Sequence, residues 1–248
     1  MAITMQQFLG EFLGTMMLVF LGDSVVANVV LKGTKGNGSG WPVITLGWMV
    51  AVAVPVMMFG WMSGAHFNPA VTIGLVAAGV EPTSIILPFI ASQMAGGFVG
   101  ALLTFVFYRP HFKATDDKDL KLAVFCTGPA IRSKGDNSIS EFIATFVLVF
   151  AIIGALVAAP GVGNTAIGGG LGIAWIILAL GTALGGTTGY ALNPARDLAP
   201  RIAYAVIPAS AMGGKRDPDW AYSWIPAIMP LLGGLVAGLA GFAVFLNW

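Results

Sequence analysis

Apolar residues run along this chain in long blocks, at about 6–30, 41–62, 83–107, 139–159, 167–187 and 224–247. Each block approaches the roughly 20 residues that a helix needs to cross a bilayer. Glycines and lone polar groups interrupt several of them. The first block carries Glu11 and no basic segment before it, so it reads as a first membrane helix and not as a cleaved signal. Two more apolar stretches are too short to cross. One follows Ser63 and runs to about residue 80, and the other surrounds Gly189–Leu198.

The pattern repeats. Glu11-Phe-Leu-Gly-Thr15-Met-Met-Leu-Val-Phe20 matches Glu141-Phe-Ile-Ala-Thr145-Phe-Val-Leu-Val-Phe150, and Asn68-Pro69-Ala70 is matched by Asn193-Pro194-Ala195. The two elements keep their order in both halves. Three spans per half is an odd number, so the halves lie in opposite orientations across the membrane. The site of such an inverted repeat lies near the midplane, where the halves meet. Asn is a good N-cap and Pro suits the first helical position. Each Asn-Pro-Ala therefore predicts the start of a short helix preceded by extended chain, an arrangement tolerated at membrane depth only inside protein or beside water. The prediction is an all-α membrane protein. It has six transmembrane helices and two re-entrant half-helices around a central pore. A single domain spans 1–248, with repeats over about 1–108 and 139–248 and an extramembrane connection over 109–138.

Composition agrees. Hydrophobic residues make up 57% of the chain and charged residues 9%, against about 25% charged in soluble domains. Net charge is +1, and no basic stripe suggests nucleic acid. One cysteine, Cys126, excludes an intrachain disulfide framework. No nucleophile–base pair, metal cluster or phosphate loop is evident, so neither an enzyme nor a cofactor is expected. Gly168-Gly-Gly-Leu-Gly172 has no following Lys and fits helix packing better than phosphate binding. With only two histidines, His66 and His111, a metal site is not expected.

Paired Asn-Pro-Ala motifs in a six-span repeat resemble the major intrinsic protein family, the aquaporins and glycerol facilitators, over essentially the whole chain. The resemblance implies that the half-helices meet at their N-termini and bring Asn68 and Asn193 to the pore centre. It implies carbonyls of Gly64, Ala65, His66, Gly189, Tyr190 and Ala191 along the pore. It also implies an outer constriction at Arg196, and usually a homotetramer in the plasma membrane. Trp48 stands where wide-pore members place a Trp. Gly181 stands where water-specific members usually have His, and Tyr190 where glycerol facilitators more often have Phe. The glycine is expected to free volume for a polyol, and the extra hydroxyl to make the filter narrower or more polar. Glu11 and Glu141 are expected to hold the half-helix loops. Asp197 and Arg201 form an i, i+4 pair, either a scaffold for the outer loop or a solvated ion pair.

The expected function is passive conduction of glycerol and similar small neutral solutes, with water. Dihydroxyacetone, urea, hydrogen peroxide and undissociated lactic acid are further candidates. A predominantly water-selective channel and a carboxylate-coupled secondary transporter are the alternatives. All twelve Lys and Arg residues fall near 32–35, within 109–134, at 196–201 or at 215–216, and none lies near Gly161–Asn164. The positive-inside rule would place the N-terminus outside, whereas the resemblance implies both termini inside.

Overall fold

The computed structural model describes residues 3–158, 166–214 and 216–247, so the Gly161–Asn164 stretch and Lys215 lie outside the described residues. The first membrane helix, α1 (Met5–Val30), opens on a capping box. The Thr4 hydroxyl accepts the Gln7 amide N–H, and Gln7 Oε1 accepts that of Thr4. The second, α2 (Trp41–Ser63), begins with Pro in its first turn and stops at Gly64, which is left-handed at φ 89°. Two short helices follow the Asn-Pro-Ala motifs, α3 (Pro69–Ala77) and, in the second half, α8 (Pro194–Val206). Between them come α4 (Ile86–Ala114), α5 (Lys118–Phe125), α6 (Lys134–Ala158) and α7 (Ala166–Ala183). The last span, α9 (Trp220–Gly241), continues as a π turn through Leu246. No strand occurs among the described residues. Five of these helices are long and apolar enough to cross a membrane, and the shorter α7 covers the remaining predicted block. The chain is a multi-pass integral membrane protein.

The 109–138 connection is more helical than the hydrophobic pattern suggests. The third span does not end near 107 but runs to Ala114, through Pro110. Its last turn is anchored by Phe112, fully buried, with its ring 5.4 Å from that of Phe125, which in turn lies 5.2 Å from Tyr204. This aromatic row links the end of α4 to α5 and α8. The connecting loops here engage several of the cations. Lys121 is fully buried and donates to the Met212 carbonyl at 2.8 Å. Arg132 pairs with Asp219, and Arg216 donates to the carbonyls of Tyr204 and Ile207. Asp217, bonded by the Asp219 amide and by the Lys118 ammonium, is held below the usual carboxylate range.

Within each half the first span packs on the last, α1 on α4 and α6 on α9, and α2 meets α7 between the halves. The half-helices cross over: α3 packs mainly against α9, and α8 against α4. The contact is close enough to require glycine. A Cβ on Gly238 of α9 would sit 2.2 Å from the Gly74 carbonyl oxygen of α3, and one on Gly97 of α4 would sit 2.6 Å from the Ala195 carbonyl oxygen of α8. Without a hydrophobic drive between helices in lipid, such van der Waals contact holds the bundle.

Candidate functional site

Both half-helices are capped by their own asparagine. Asn68 Oδ1 accepts the Ala70 amide at 2.8 Å, and Asn193 Oδ1 accepts those of Ala195 and Arg196 at 2.9 and 3.2 Å. Each side-chain amide also reaches across. Asn68 Nδ2 donates to the Leu192 carbonyl at 2.9 Å, and Asn193 Nδ2 donates to the Phe67 carbonyl at 2.8 Å. The half-helices thus meet end to end. One N–H of each amide is used by the opposite loop, and the second is left for a solute.

The sequence suggested extended chain before each cap, but the backbone there is repeatedly left-handed. Gly64, Ala65 and Phe67 have φ of 89°, 57° and 48°, and Gly189, Tyr190 and Leu192 have 84°, 41° and 56°. The same left-handed positions recur in both halves. Four of these six are not glycine, and each such residue costs of order 1–3 kcal/mol and persists only where its surroundings impose it. Here buried carboxylates do so. Glu11 accepts the amides of His66 and Phe67 at 3.0 and 2.8 Å, the Ser63 hydroxyl at 2.6 Å and Gln93 Nε2 at 2.7 Å. Glu141 accepts the amides of Ala191 and Leu192 at 3.0 and 3.1 Å and the Thr188 hydroxyl at 2.6 Å. Ser63 and Thr188 were not singled out from the sequence. Aligning the repeats outward from Asn-Pro-Ala pairs them, each one residue before the loop glycine.

A cavity of about 320 Å³ passes these loops. Trp48, Tyr190 and Arg196 border it, as do Asn68 and Asn193 and the loop residues Gly64, Ala65, His66 and Ala191; aliphatic side chains of α2, α6 and α7 form the opposite wall. Gly189 and Gly181 do not line it. Arg196 lies with its guanidinium carbon 4.0 Å from the centroid of the Trp48 ring, a cation–π geometry. Gly181 plays a different part from the expected one. A Cβ there would come 2.9 Å from both Cζ and Oη of Tyr190, so the space the glycine frees is taken by the Tyr190 ring. The Tyr190 hydroxyl is buried beside Gly181 and has no hydrogen-bond partner among the described residues. Trp41 braces that ring edge-on at 5.9 Å and donates to the Gly181 carbonyl at 3.0 Å.

Asp197 and Arg201 are both fully buried, which rules out the solvated pair. Arg201 Nε and Nη2 donate to Asp197 Oδ1 at 3.1 and 3.0 Å, while Asp197 Oδ2 accepts the amide and hydroxyl of Thr127, both at 2.7 Å. Arg201 also donates to the carbonyls of Thr127 and Pro218 at 3.0 and 2.7 Å. One ion pair therefore ties α8 to the loops at Thr127 and Pro218. His66 faces Thr72 Oγ1 at 3.1 Å, and His111 faces the Lys32 carbonyl; no cluster among the described residues is placed to hold a metal. Of the glycine-rich run, Gly170 packs against Met57 of α2.

Fold and site together define a membrane channel built on an inverted repeat, with two half-helices meeting beside a mainly apolar cavity that carries a few polar groups. The chain belongs to the major intrinsic protein family, whose profile, described as Major intrinsic protein, matches residues 2–240. It is 50% identical over 247 residues to the probable glycerol uptake facilitator protein of Thermotoga maritima, covering 98% of this chain and 99% of that one. It is 47% identical over 243 residues to the glycerol uptake facilitator protein of Streptococcus pneumoniae, covering 97% and 100%. Its fold matches the X-ray structure of the aquaglyceroporin from Plasmodium falciparum with a TM-score of 0.80 and 29% identity, covering 96% of each chain.

Proposed function

We propose that this channel conducts glycerol and similar small neutral solutes, together with water, by passive diffusion, and that it excludes ions and protons. The make-up of the passage beside Arg196 carries this reading. Two rings, Trp48 and Tyr190, offer an apolar corner for the carbon face of a polyol. Arg196, the second N–H of each motif asparagine and loop carbonyls offer partners for its hydroxyls. Glycerol has both faces. Relatives at 47% and 50% identity carry the glycerol facilitator name, which favours this solute over water alone. Two facing helix N-termini each present about half a positive charge. With Arg196, they oppose a cation at the midplane. The carboxylates Glu11 and Glu141 act as loop anchors and not as ion-coupling sites, since the repeat duplicates them and loop donors occupy both. Dihydroxyacetone, urea, hydrogen peroxide and undissociated lactic acid share the needed size and neutrality, and four copies assemble in the membrane.

Stopped-flow light scattering on proteoliposomes tests the reading. In a glycerol gradient the vesicles shrink and then recover quickly; in sucrose they shrink and stay small. Recovery no faster than in empty vesicles, alongside fast water loss, would establish the water-selective alternative. Accumulation of glycerol against its gradient would establish a coupled transporter. A second expected result concerns the cation barrier. Arg196→Ala keeps solute flux but admits protons or small cations, read as current across a pH gradient. Unchanged cation exclusion in that variant would remove Arg196 from the role given to it.

A further inference from the structure

Trp41, Thr45 and Trp48 stand at i, i+4 and i+7 on α2, so they share one face of that helix. Trp48 borders the cavity, and Trp41 does not. Trp41 meets the Tyr190 ring instead, edge-on, with centroids 5.9 Å apart. The end of α7 closes on the same ring. A Cβ on Gly181 would lie 2.9 Å from Cζ and Oη of Tyr190, and one on Gly185 would lie 2.5 Å from its Cδ1 and 2.8 Å from Cζ2 of Trp41. The ring therefore has no slack on the α7 side. Trp41 is itself tied down, because its Nε1 donates to the Gly181 carbonyl at 3.0 Å. The last carbonyls of a helix lack a partner within it. Here the Leu180 carbonyl takes the Leu184 amide at 2.8 Å, and the next one along takes the indole.

The internal repeat shows that the loop turn itself does not call for this arrangement. The Asn68–Asn193 correspondence pairs Tyr190 with Ala65 and Gly185 with Gly60. A Cβ on Gly60 would stand 3.5 Å from that of Ala65, an ordinary contact. The same left-handed turn thus forms without a ring and without a tight glycine behind it. The ring of the second loop is an added part, and it comes with its own support. Gly181, Gly185 and Thr45 are buried, whereas Trp41 is 37% exposed. Of the groups packed behind the ring, it alone opens to the surface, so it alone can give way outward.

We propose that Trp41 sets the width limit of this channel by holding the Tyr190 ring forward, so that glycerol passes and branched polyols with a wider carbon body are held back. The proposal rests on the reading of Trp48, Tyr190 and Arg196 as the constriction. Trp41 touches no solute. It acts through Tyr190, so it is a positioning and specificity-determining residue. A wider solute has to displace a close-packed ring, which is costly while the indole stands behind it.

The test compares trimethylolethane, which carries three hydroxyls like glycerol but on a branched carbon, with glycerol itself. Osmotic recovery of proteoliposomes gives both permeabilities, and water flux at matched protein checks the fold. In Trp41→Ala the ring retracts into the space of the lost indole, and the trimethylolethane-to-glycerol ratio rises about tenfold, equal to about 1.4 kcal/mol of barrier difference. Trp41→Phe keeps an aromatic edge but loses the bond to Gly181. It gives a smaller rise of the same sign, and it carries the test if Trp41→Ala does not fold. Tyr190→Ala raises the ratio by itself, and adding Trp41→Ala brings no further rise, because the ring through which Trp41 acts is gone. Fluxes lowered together at a constant ratio, or an equal rise with and without the Tyr190 ring, would overturn the proposal; a raised ratio in Tyr190→Ala would then leave the constriction reading standing. If Tyr190→Ala does not alter the ratio either, that reading itself fails.

Discussion

Gly181→His is expected to lower glycerol flux by about two orders of magnitude while reducing water flux far less. The β-carbon alone would come 2.9 Å from Cζ and Oη of Tyr190 and 3.1 Å from Cγ2 of Thr45. Tyr190 cannot yield through its backbone, which is already left-handed at φ 41° and bordered by amides bonded to Glu141. Its ring must swing into the passage, toward Trp48 and Arg196. Glycerol then passes without orienting its hydroxyls, and each unpaired polar group costs roughly 1–3 kcal/mol. Two such losses in the barrier amount to about a hundredfold in rate. Water needs less room. Paired permeabilities at matched protein content measure the effect. Gly181→Ala should show a weaker effect of the same sign, and Tyr190→Ala added to Gly181→His should restore much of the glycerol flux. Undiminished glycerol flux in Gly181→His would show that the Tyr190 ring does not set the width.

Asp197→Ala is expected to produce the largest loss of stability, about 3–5 kcal/mol, the usual penalty for leaving one partner of a buried ion pair alone. Arg201 would keep its carbonyl partners but lose its countercharge, and the Thr127 amide and hydroxyl would lose their acceptor. Thermal unfolding in detergent measures it, as a drop in Tm. Asp197→Leu with Arg201→Met should lie nearer to wild type, since no charge is stranded. A single-variant Tm within a degree or so of wild type would mean that water reaches the pair.

The six blocks, the doubled motifs and Arg196 were legible because each breaks a simple rule of pattern or charge. The outcome at Gly181 was not. Its role depends on where a ring from another element points, and spacing along a chain carries no such information. The left-handed loop residues were hidden for a related reason. Ala65, Phe67, Tyr190 and Leu192 are not residues that signal a left-handed backbone, and long-range bonds to Glu11, Glu141 and the motif asparagines hold these loops. The distribution of Lys and Arg has a structural use of its own. Lys121, Arg132, Arg201 and Arg216 are engaged with carboxylates or carbonyls of the outer loops. Their concentration in these connections also serves the folding of those loops.

The crossing of the half-helices bears on how the chain matures as it is made. When α8 enters, its principal support, α4, is already in the membrane. The reverse does not hold for α3, whose main neighbour, α9, is the last helix synthesised. For most of the time the ribosome spends on this chain, the first Asn-Pro-Ala loop rests on Glu11 and Gln93 and lacks the glycine face of α9 that will close over it. Neither repeat made alone would hold its own short helix. The two halves form one cooperative object that is finished only when the final span arrives.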